Sequence, residues 1–437
     1  MRGKFVRYGP NRVSVNSSTA LREIYNVKAN VRKSKVYTAV KYFFKDGDMS
    51  MTVLDTKRHA YRRRVNVQAL RPDAVEVIQD HIIKNIDYFC SHVIAPEPTS
   101  EWGVPHDFSK IVGYLVSDIM GDVTFSKNWD TQRDATYRHF VDDSALGTAG
   151  MHIIGHLPFV VKYGLHHILF RPFVNGVQRL NALSKRITEW RVAQKDIMPG
   201  QDLFPALLQV TDFETGKGFT SAELTSEAGL FIVAGTDTTV TATVSTLFYL
   251  LKSPDCMKVL QKEIRTRFAS VERIRVSENL TNSCYLMACI DEALRLTPPV
   301  GSILPREVLP GGIFIDGEYF LEGIDIGVPH YALHRHEDYF TDPDAYCPLC
   351  WFDESGKYIP ATAHPAFTAF GVGRTSCVGK YLAYQEISLV IAWIFWLYDI
   401  RLDPESDFAK QSPQHFPTRD RFVSMHQGPV VQFKSRF

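Results

Sequence analysis

The residues in this chain best suited to chemistry surround a single cysteine. Phe370, Gly371, Gly373, Arg374, Cys377 and Gly379 form a glycine-rich run that opens straight into an apolar stretch, 382–397. A thiol at the mouth of a helix has backbone N–H groups and the positive helix end close by. Both lower its pKa and suit it to bind a metal. The glycines leave the backbone bare, so a flat macrocycle could approach the sulfur. Taken alone, a cysteine ahead of a helix is a buried structural thiol. Its companions elsewhere in the chain decide the matter.

The first companion lies inside 220–251, which reads as one long helix. Thr220 and Glu223 form a capping box at its start, and Pro254 follows its end. Its middle ought to be plain apolar core, yet it holds Ala234, Gly235, Asp237, Thr238 and Thr239. A glycine there costs about 1 kcal/mol against alanine, and a buried Asp costs more unless hydrogen-bonded. Local breaks of this kind are expected at functional sites. A threonine hydroxyl can bond the carbonyl of the preceding turn and open a groove with room for O2 and water. A polar helix patch packed on a neighbour is the competing reading. The second companion is Glu292 with Arg295, three apart on one helix face and stopped by Pro298 and Pro299. Alone, such a pair is a solvated surface bridge.

An axial cysteine thiolate marks the oxygen-activating class of haem proteins. In this order and at these separations, the three motifs resemble the cytochrome P-450 family of haem-thiolate monooxygenases. The resemblance covers nearly the whole chain, and its texture is closest to filamentous-fungal biosynthetic members. It implies a mainly α chain with small β-sheets (α+β), in which a long central helix lies over haem b. Cys377 would be the axial ligand, with Phe370 beside it. Thr238 and Asp237 would deliver protons, and Ala234 and Gly235 would shape the oxygen groove. Glu292 and Arg295 would be a structural pair. His59, Arg63 and Arg306 would hold the haem propionates.

Three departures from the family pattern stand out. Thr375 occupies the position where a propionate-binding Arg is usual, with Arg374 one step earlier. Haem anchoring then leans more on His59, Arg63 and Arg306. Cys350 stands where the family has an Arg that locks onto the Glu/Arg pair. Losing that third member should leave hydrogen-bonding capacity unsatisfied, at about 1–3 kcal/mol. The chain also opens directly at what looks like the first strand, with no apolar anchor, no secretory signal and no uncharged apolar run of membrane-spanning length.

Composition suits one large globular enzyme spanning 1–437. Hydrophobic residues make up 45% and charged ones 22%, with no linker, repeat or low-complexity tract. A net charge of +1 argues against nucleic acid as a partner. The densest basic run, Lys57, Arg58, Arg62, Arg63 and Arg64, is either a solvated helix face or a binding surface. In the second case it would take propionates inward or an acidic redox partner outward. The seven cysteines read as reduced thiols facing the cytosol. Cys347 and Cys350 form a Cys-x-x-Cys without a second metal-binding pair or a βαβ setting, so neither zinc nor redox function is expected.

Strands are predicted near 5–7, 12–15, 313–315 and 430–433. Helices are predicted over 19–25, 75–93, 220–251, 257–268, 285–296 and 382–397. The aromatic stretch 157–174 is either a packed helix–loop–helix or a peripheral membrane contact. In the second case the protein would sit on the cytosolic face of the endoplasmic reticulum.

The resulting expectation is insertion of one oxygen atom from O2 into a lipophilic small molecule. Electrons would come from a separate NADPH-dependent flavoprotein reductase, because no flavin or nicotinamide fingerprint is present. Pocket candidates are Phe231, Ala234, 300–303 and 422–425. Two rivals stand beside this reading: a haem-thiolate isomerase or dehydratase needing no reductase, and an impaired or truncated relative.

Overall fold

The computed structural model describes residues 3–42, 47–97, 101–194, 202–211, 216–411 and 413–437. Helices dominate, and those that frame the site are α1 (Thr56–Ala69), α2 (Pro72–Tyr88), α3 (Phe108–Phe125), α4 (His139–His156), α5 (Arg171–Ala193), α6 (Ser221–Lys252), α7 (Pro254–Arg267), α8 (Cys284–Leu296) and α9 (Lys380–Leu397). The predicted helix over 75–93 starts earlier, at Pro72, and passes into a π-helical turn at Phe89–Val93.

A five-stranded sheet joins three early strands to two from much later in the chain, in the order β1 (Phe5–Gly9), β2 (Arg12–Val15), β5 (Asp325–Gly327), β4 (Arg306–Val308), β3 (Val31–Lys33). Only the β2–β5 pair is parallel. Late in the chain β6 (Tyr398–Leu402) pairs with β9 (Val430–Ser435), and β7 (Arg419–Arg421) with β8 (Val423–Met425). The fold is α+β, as the sequence implies.

The long helix α6 forms because its ends are fixed and its flanks are apolar. Thr220 accepts from the Glu223 backbone N–H while Glu223 reaches back to the N-cap, a complete capping box. From Val240 to Leu250 every residue is buried, so that stretch is packed on all sides. Among the described residues α6 alone is long and apolar enough to cross a membrane, and most of that stretch is buried inside the fold. It packs along α3, α5, α8 and α9 within one large apolar core. A smaller core lies under the sheet, joining Val15, Leu21, Ile24, Val31, Val308 and Ile326.

The basic run on α1 divides between several environments. Arg62, only 1% exposed, pairs with Glu223 and with fully buried Glu227, the latter at 2.8 Å. These two acids are four apart on α6 and share a face. Glu227 also accepts from the Ser50 N–H at 2.6 Å and from Asn66 at 3.3 Å. This cluster fixes α1 against the first turns of α6. Arg63 turns inward to the cavity described below, whereas Lys57 and Arg64 face solvent.

Replacing Arg62 by Met would strand Glu227 as a buried, partly paired charge. Equilibrium unfolding in guanidinium should show a loss of about 3–5 kcal/mol. A midpoint equal to wild type would mean that the α1–α6 cluster does not hold these helices together.

Candidate active site

A cavity of about 360 Å³ opens between two walls. One is the loop ahead of α9, with Phe370, Gly371, Ser376, Cys377 and Gly379. The other is α6, with Phe231, Ala234, Gly235 and Thr238. Cys377 is open to this cavity although it lies deep in the fold. Its N–H donates to the Phe370 carbonyl at 2.7 Å and closes the loop. The Phe370 ring lies against Tyr384, with centroids 5.0 Å apart. Gly373 has φ +68°, and a Cβ there would lie 1.9 Å from the Tyr25 carbonyl oxygen. Only glycine fits.

Burial pushes the Cys377 thiol above the ordinary cysteine range. The Gly379 N–H, Arg63 and Lys380 pull it back down. The lowering expected from the loop and the helix end is therefore overturned for the protein alone, because desolvation of the charged form outweighs both. A metal at the sulfur would reverse this, since thiolate ligands release their proton on binding.

On α6, Gly235 lets α3 come close: an added Cβ would lie 2.5 Å from Met120 Cε. The Thr238 hydroxyl donates to the Ala234 carbonyl at 2.6 Å. Asp237 does not line the cavity. Its carboxylate faces α4 and accepts from the Ser144 hydroxyl, 3.0 Å from each oxygen. Burial pushes Asp237 up to about 7, and the Ser144 bond only partly opposes this. Ser144 also borders a second cavity of about 30 Å³, with Ser117, Ser184 and Thr236 on its walls. These hydroxyls stand among mostly apolar walls, with Phe140, Leu183 and Ile232 beside them. The buried Thr236 hydroxyl has no hydrogen-bond partner among the described residues.

Positive charge gathers at one edge of the main cavity. Lys33 of β3, His59 and Arg63 of α1, and Arg306 of β4 all line it. Arg63 donates to the Ser376 carbonyl at 2.6 Å and to its hydroxyl at 3.0 Å. Arg306 donates to the Thr375 hydroxyl at 2.6 Å. Arg374 is adjacent but outside the lining, and donates to the Val31 carbonyl at 2.5 Å. Burial and then Arg306 drive Lys33 down to about 7. His59 falls to about 3, through burial first and then Lys33, Arg63, Arg374 and Arg306.

Among the described residues the only acid on the cavity wall is Glu386 of α9. Burial pushes it up to about 8, so it is mostly protonated at neutral pH. Thr239 pulls weakly the other way, but neither Glu386 oxygen makes a hydrogen bond of good geometry. Clustered cations with no carboxylate among them call for an anionic ligand. A flat macrocycle with two carboxylates and a thiophilic metal fits both this edge and Cys377.

Beneath the loop, Glu292 and Arg295 are 2% exposed and paired through two bonds of 2.8 Å. The predicted unsatisfied capacity is absent. Arg295 places its remaining N–H groups on the carbonyls of His334, Pro343 and Ala345, at 2.9, 2.6 and 2.8 Å. Glu292 accepts from the Cys347 N–H at 2.9 Å and the Trp351 indole at 3.1 Å. Backbone and indole donors thus take over from the family's third Arg. The expectation that every thiol is reduced is also overturned. Cys347 and Cys350 are joined in a disulfide, with Cα atoms 5.5 Å apart, while Cys90, Cys256, Cys284, Cys289 and Cys377 are free.

Of the pocket candidates, Phe231, Ala234, Val300 and Phe422 line the cavity. Residues 301–303 and 423–425 do not. Lys33, Ser144 and Glu386 escape the sequence reading. For Glu386 a signal existed, an acid inside an otherwise apolar helix. Lys33 and Ser144 carried none.

Comparison with known proteins bears on this geometry. A family model described as Cytochrome P450 matches residues 6–429. The chain is 31% identical over 435 residues to the cytochrome P450 monooxygenase poxM of Penicillium oxalicum, covering 99% of this chain and 83% of that protein. A cytochrome P450 monooxygenase of Gibberella zeae is 31% identical over 426 residues, covering 95% and 97%. Among solved structures, the haem domain of cytochrome P450DA superposes with a TM-score of 0.78 over 99% of this chain and 90% of that one, at 16% identity.

Two measurements test the site. Lys33→Gln should speed loss of a bound metalloporphyrin about tenfold, by removing one charge-assisted contact. Transfer to apomyoglobin reads this directly, and an unchanged rate would remove Lys33 from the anion-binding edge. The second concerns Asp237, which ordinarily loses its proton near 3.8 and in the fold only at about 7. Between those values the folded protein binds more protons than the unfolded chain. Its contribution to stability is thus full below the lower value and is lost as pH rises to about 7. Asp237→Asn should flatten that slope in unfolding measurements at pH 5 and 7.5.

Proposed function

The chain belongs to the cytochrome P450 family, and on that premise we propose that it is a haem-thiolate monooxygenase that hydroxylates or epoxidises a lipophilic small molecule in fungal secondary metabolism. The observation that carries the reading is the facing of Cys377 and Thr238 across one cavity. Haem b, when bound, supplies the binding and reduction of O2. Cys377 would hold its iron, and Lys33, His59, Arg63 and Arg306 would hold its two propionates. Residues 1–437 act as one catalytic domain in this proposal.

The protein's own part is positioning and proton supply. Ala234 and Gly235 leave room beside α6 for O2. Splitting O2 needs protons, and Asp237 carries one at its carboxyl near neutral pH while Ser144 holds it in place. The Thr238 hydroxyl, released from the Ala234 carbonyl, would hand a proton into the cavity. Leu230, Phe231, Leu294, Val300 and Phe422 give the cavity apolar walls, which favours a lipophilic substrate. An isomerase or dehydratase has no use for the Asp237–Thr238 arrangement. The saturated Glu292–Arg295 pair argues against an impaired relic.

Electrons would come from an NADPH-dependent flavoprotein reductase. The exposed Lys57 and Arg64 on α1 suit an acidic docking face. The stretch 157–169 exposes Phe159, Tyr163, Ile168 and Leu169. This apolar edge favours contact with the cytosolic surface of the endoplasmic reticulum.

A carbon monoxide difference spectrum of the reduced protein decides thiolate ligation. Wild type should give the red-shifted Soret band of a thiolate complex and Cys377→Ser should not. No shifted band in wild type would refute the assignment. With reductase, Thr238→Ala should keep oxidising NADPH but divert electrons to peroxide, lowering product per NADPH by about tenfold or more. Unchanged coupling would remove Thr238 from proton delivery.

A further inference from the structure

We propose that Cys347 and Cys350 form a reversible thiol–disulfide exchange site, with a low-molecular-weight thiol as co-reactant, that sets how firmly the Glu292–Arg295 core holds the haem-binding region. The proposal rests on the functional reading above only for its haem readout.

Three observations carry it. First, the pair closes a short loop, with a sequence separation of 3. Chain-entropy stabilisation grows with loop length, so so short a crosslink stiffens a turn rather than the whole fold. Second, Cys350 is exposed at the surface and Leu349 beside it is 65% exposed, so an external thiolate can reach the sulfur. Accessible disulfides are the labile ones. The five free cysteines show that the rest of the chain is not built as a disulfide framework.

Third, the turn that the bond closes, Pro348–Trp351, is joined directly to the buried pair. The Cys347 N–H donates to one Glu292 oxygen at 2.9 Å and the Trp351 indole to the other at 3.1 Å. These two donors bracket the disulfide. They are also the ones that replace the Arg expected at position 350. The crosslink therefore holds in register the substitutes on which a buried carboxylate depends.

In the exchange, a thiolate attacks Cys350 Sγ, forming a mixed disulfide and releasing Cys347 as a thiolate that takes up a proton. A second thiol attacks the mixed disulfide and frees Cys350. Two electrons pass from the two external thiols, which leave as their own disulfide, and two protons end on Cys347 and Cys350. With the bond open, the turn can leave Glu292, and its carboxylate loses two of four donors.

The test equilibrates haem-loaded protein in glutathione buffers of graded potential, traps thiols with iodoacetamide and maps 347–350 by mass spectrometry. Haem transfer to apomyoglobin and the urea unfolding midpoint are measured on the same samples. A reversible transition should appear within the buffered range. Reduction should speed haem loss about threefold or more and lower the midpoint. Cys347→Ser/Cys350→Ser should show the reduced behaviour in every buffer. Two results would overturn the proposal: cysteines that stay reduced, or stay crosslinked, in all buffers, or a transition that moves neither rate nor midpoint. Protein that takes up no haem would sink the functional reading instead, and the thiol map and midpoint would still decide this one.

Discussion

The site rests on the buried ion pair of Glu292 and Arg295. A buried pair contributes only when every donor and lone pair around it is met; otherwise desolvation exceeds the attraction. Here all five guanidinium N–H groups and four carboxylate positions have partners. Those partners lie in 334–351, so satisfying the pair also pins this segment against α8. His334 extends the restraint. Its Nδ1–H donates to the Arg295 carbonyl at 2.9 Å, and its Nε2 accepts from the Thr368 N–H at 2.8 Å. Thr368 stands two residues before Phe370, whose carbonyl holds the Cys377 N–H. The position of the sulfur thus follows from a pair that never touches the cavity.

The opposite constraint acts at the cationic edge. Burial first, and then Lys33, Arg63, Arg374 and Arg306, keep His59 neutral, and the one acid on the wall among the described residues is itself mostly protonated. Such an arrangement destabilises the protein alone and is relieved by an anion. Where the family uses an Arg two residues before the cysteine, this chain uses Thr375, which accepts from Arg306. The positive charge at this edge is carried by Lys33 of β3, Arg63 of α1 and Arg306 of β4.

Much of this was legible in the sequence, for local reasons. The capping box, the Pro stops and the apolar flanks set α6 and α8. Asp237 and Gly235 announce themselves by breaking the pattern of a buried helix. Cys377 is marked by its glycines, whose need is local backbone geometry. What stayed hidden depends on distant chain segments meeting. Lys33 becomes a cavity residue only because β3 pairs with β4. Ser144 matters only because α4 brings it to within 3.0 Å of Asp237. The error over Cys350 had the same origin. Counting side-chain donors along the sequence misses a backbone N–H and an indole that reach Glu292 from a neighbouring turn.

The two faces of α6 also show why its polar residues are tolerated. Thr238 faces the cavity but gives its hydroxyl hydrogen to the Ala234 carbonyl, while Asp237 faces Ser144 on the other side. Both groups are satisfied without projecting charge into an apolar chamber, so the resting cavity stays suited to a lipophilic guest. Bringing either into play requires breaking a bond within the helix or its backing. A carboxyl kept protonated by burial can make that move without first exposing an ion, which a carboxylate of ordinary pKa could not do at the same cost.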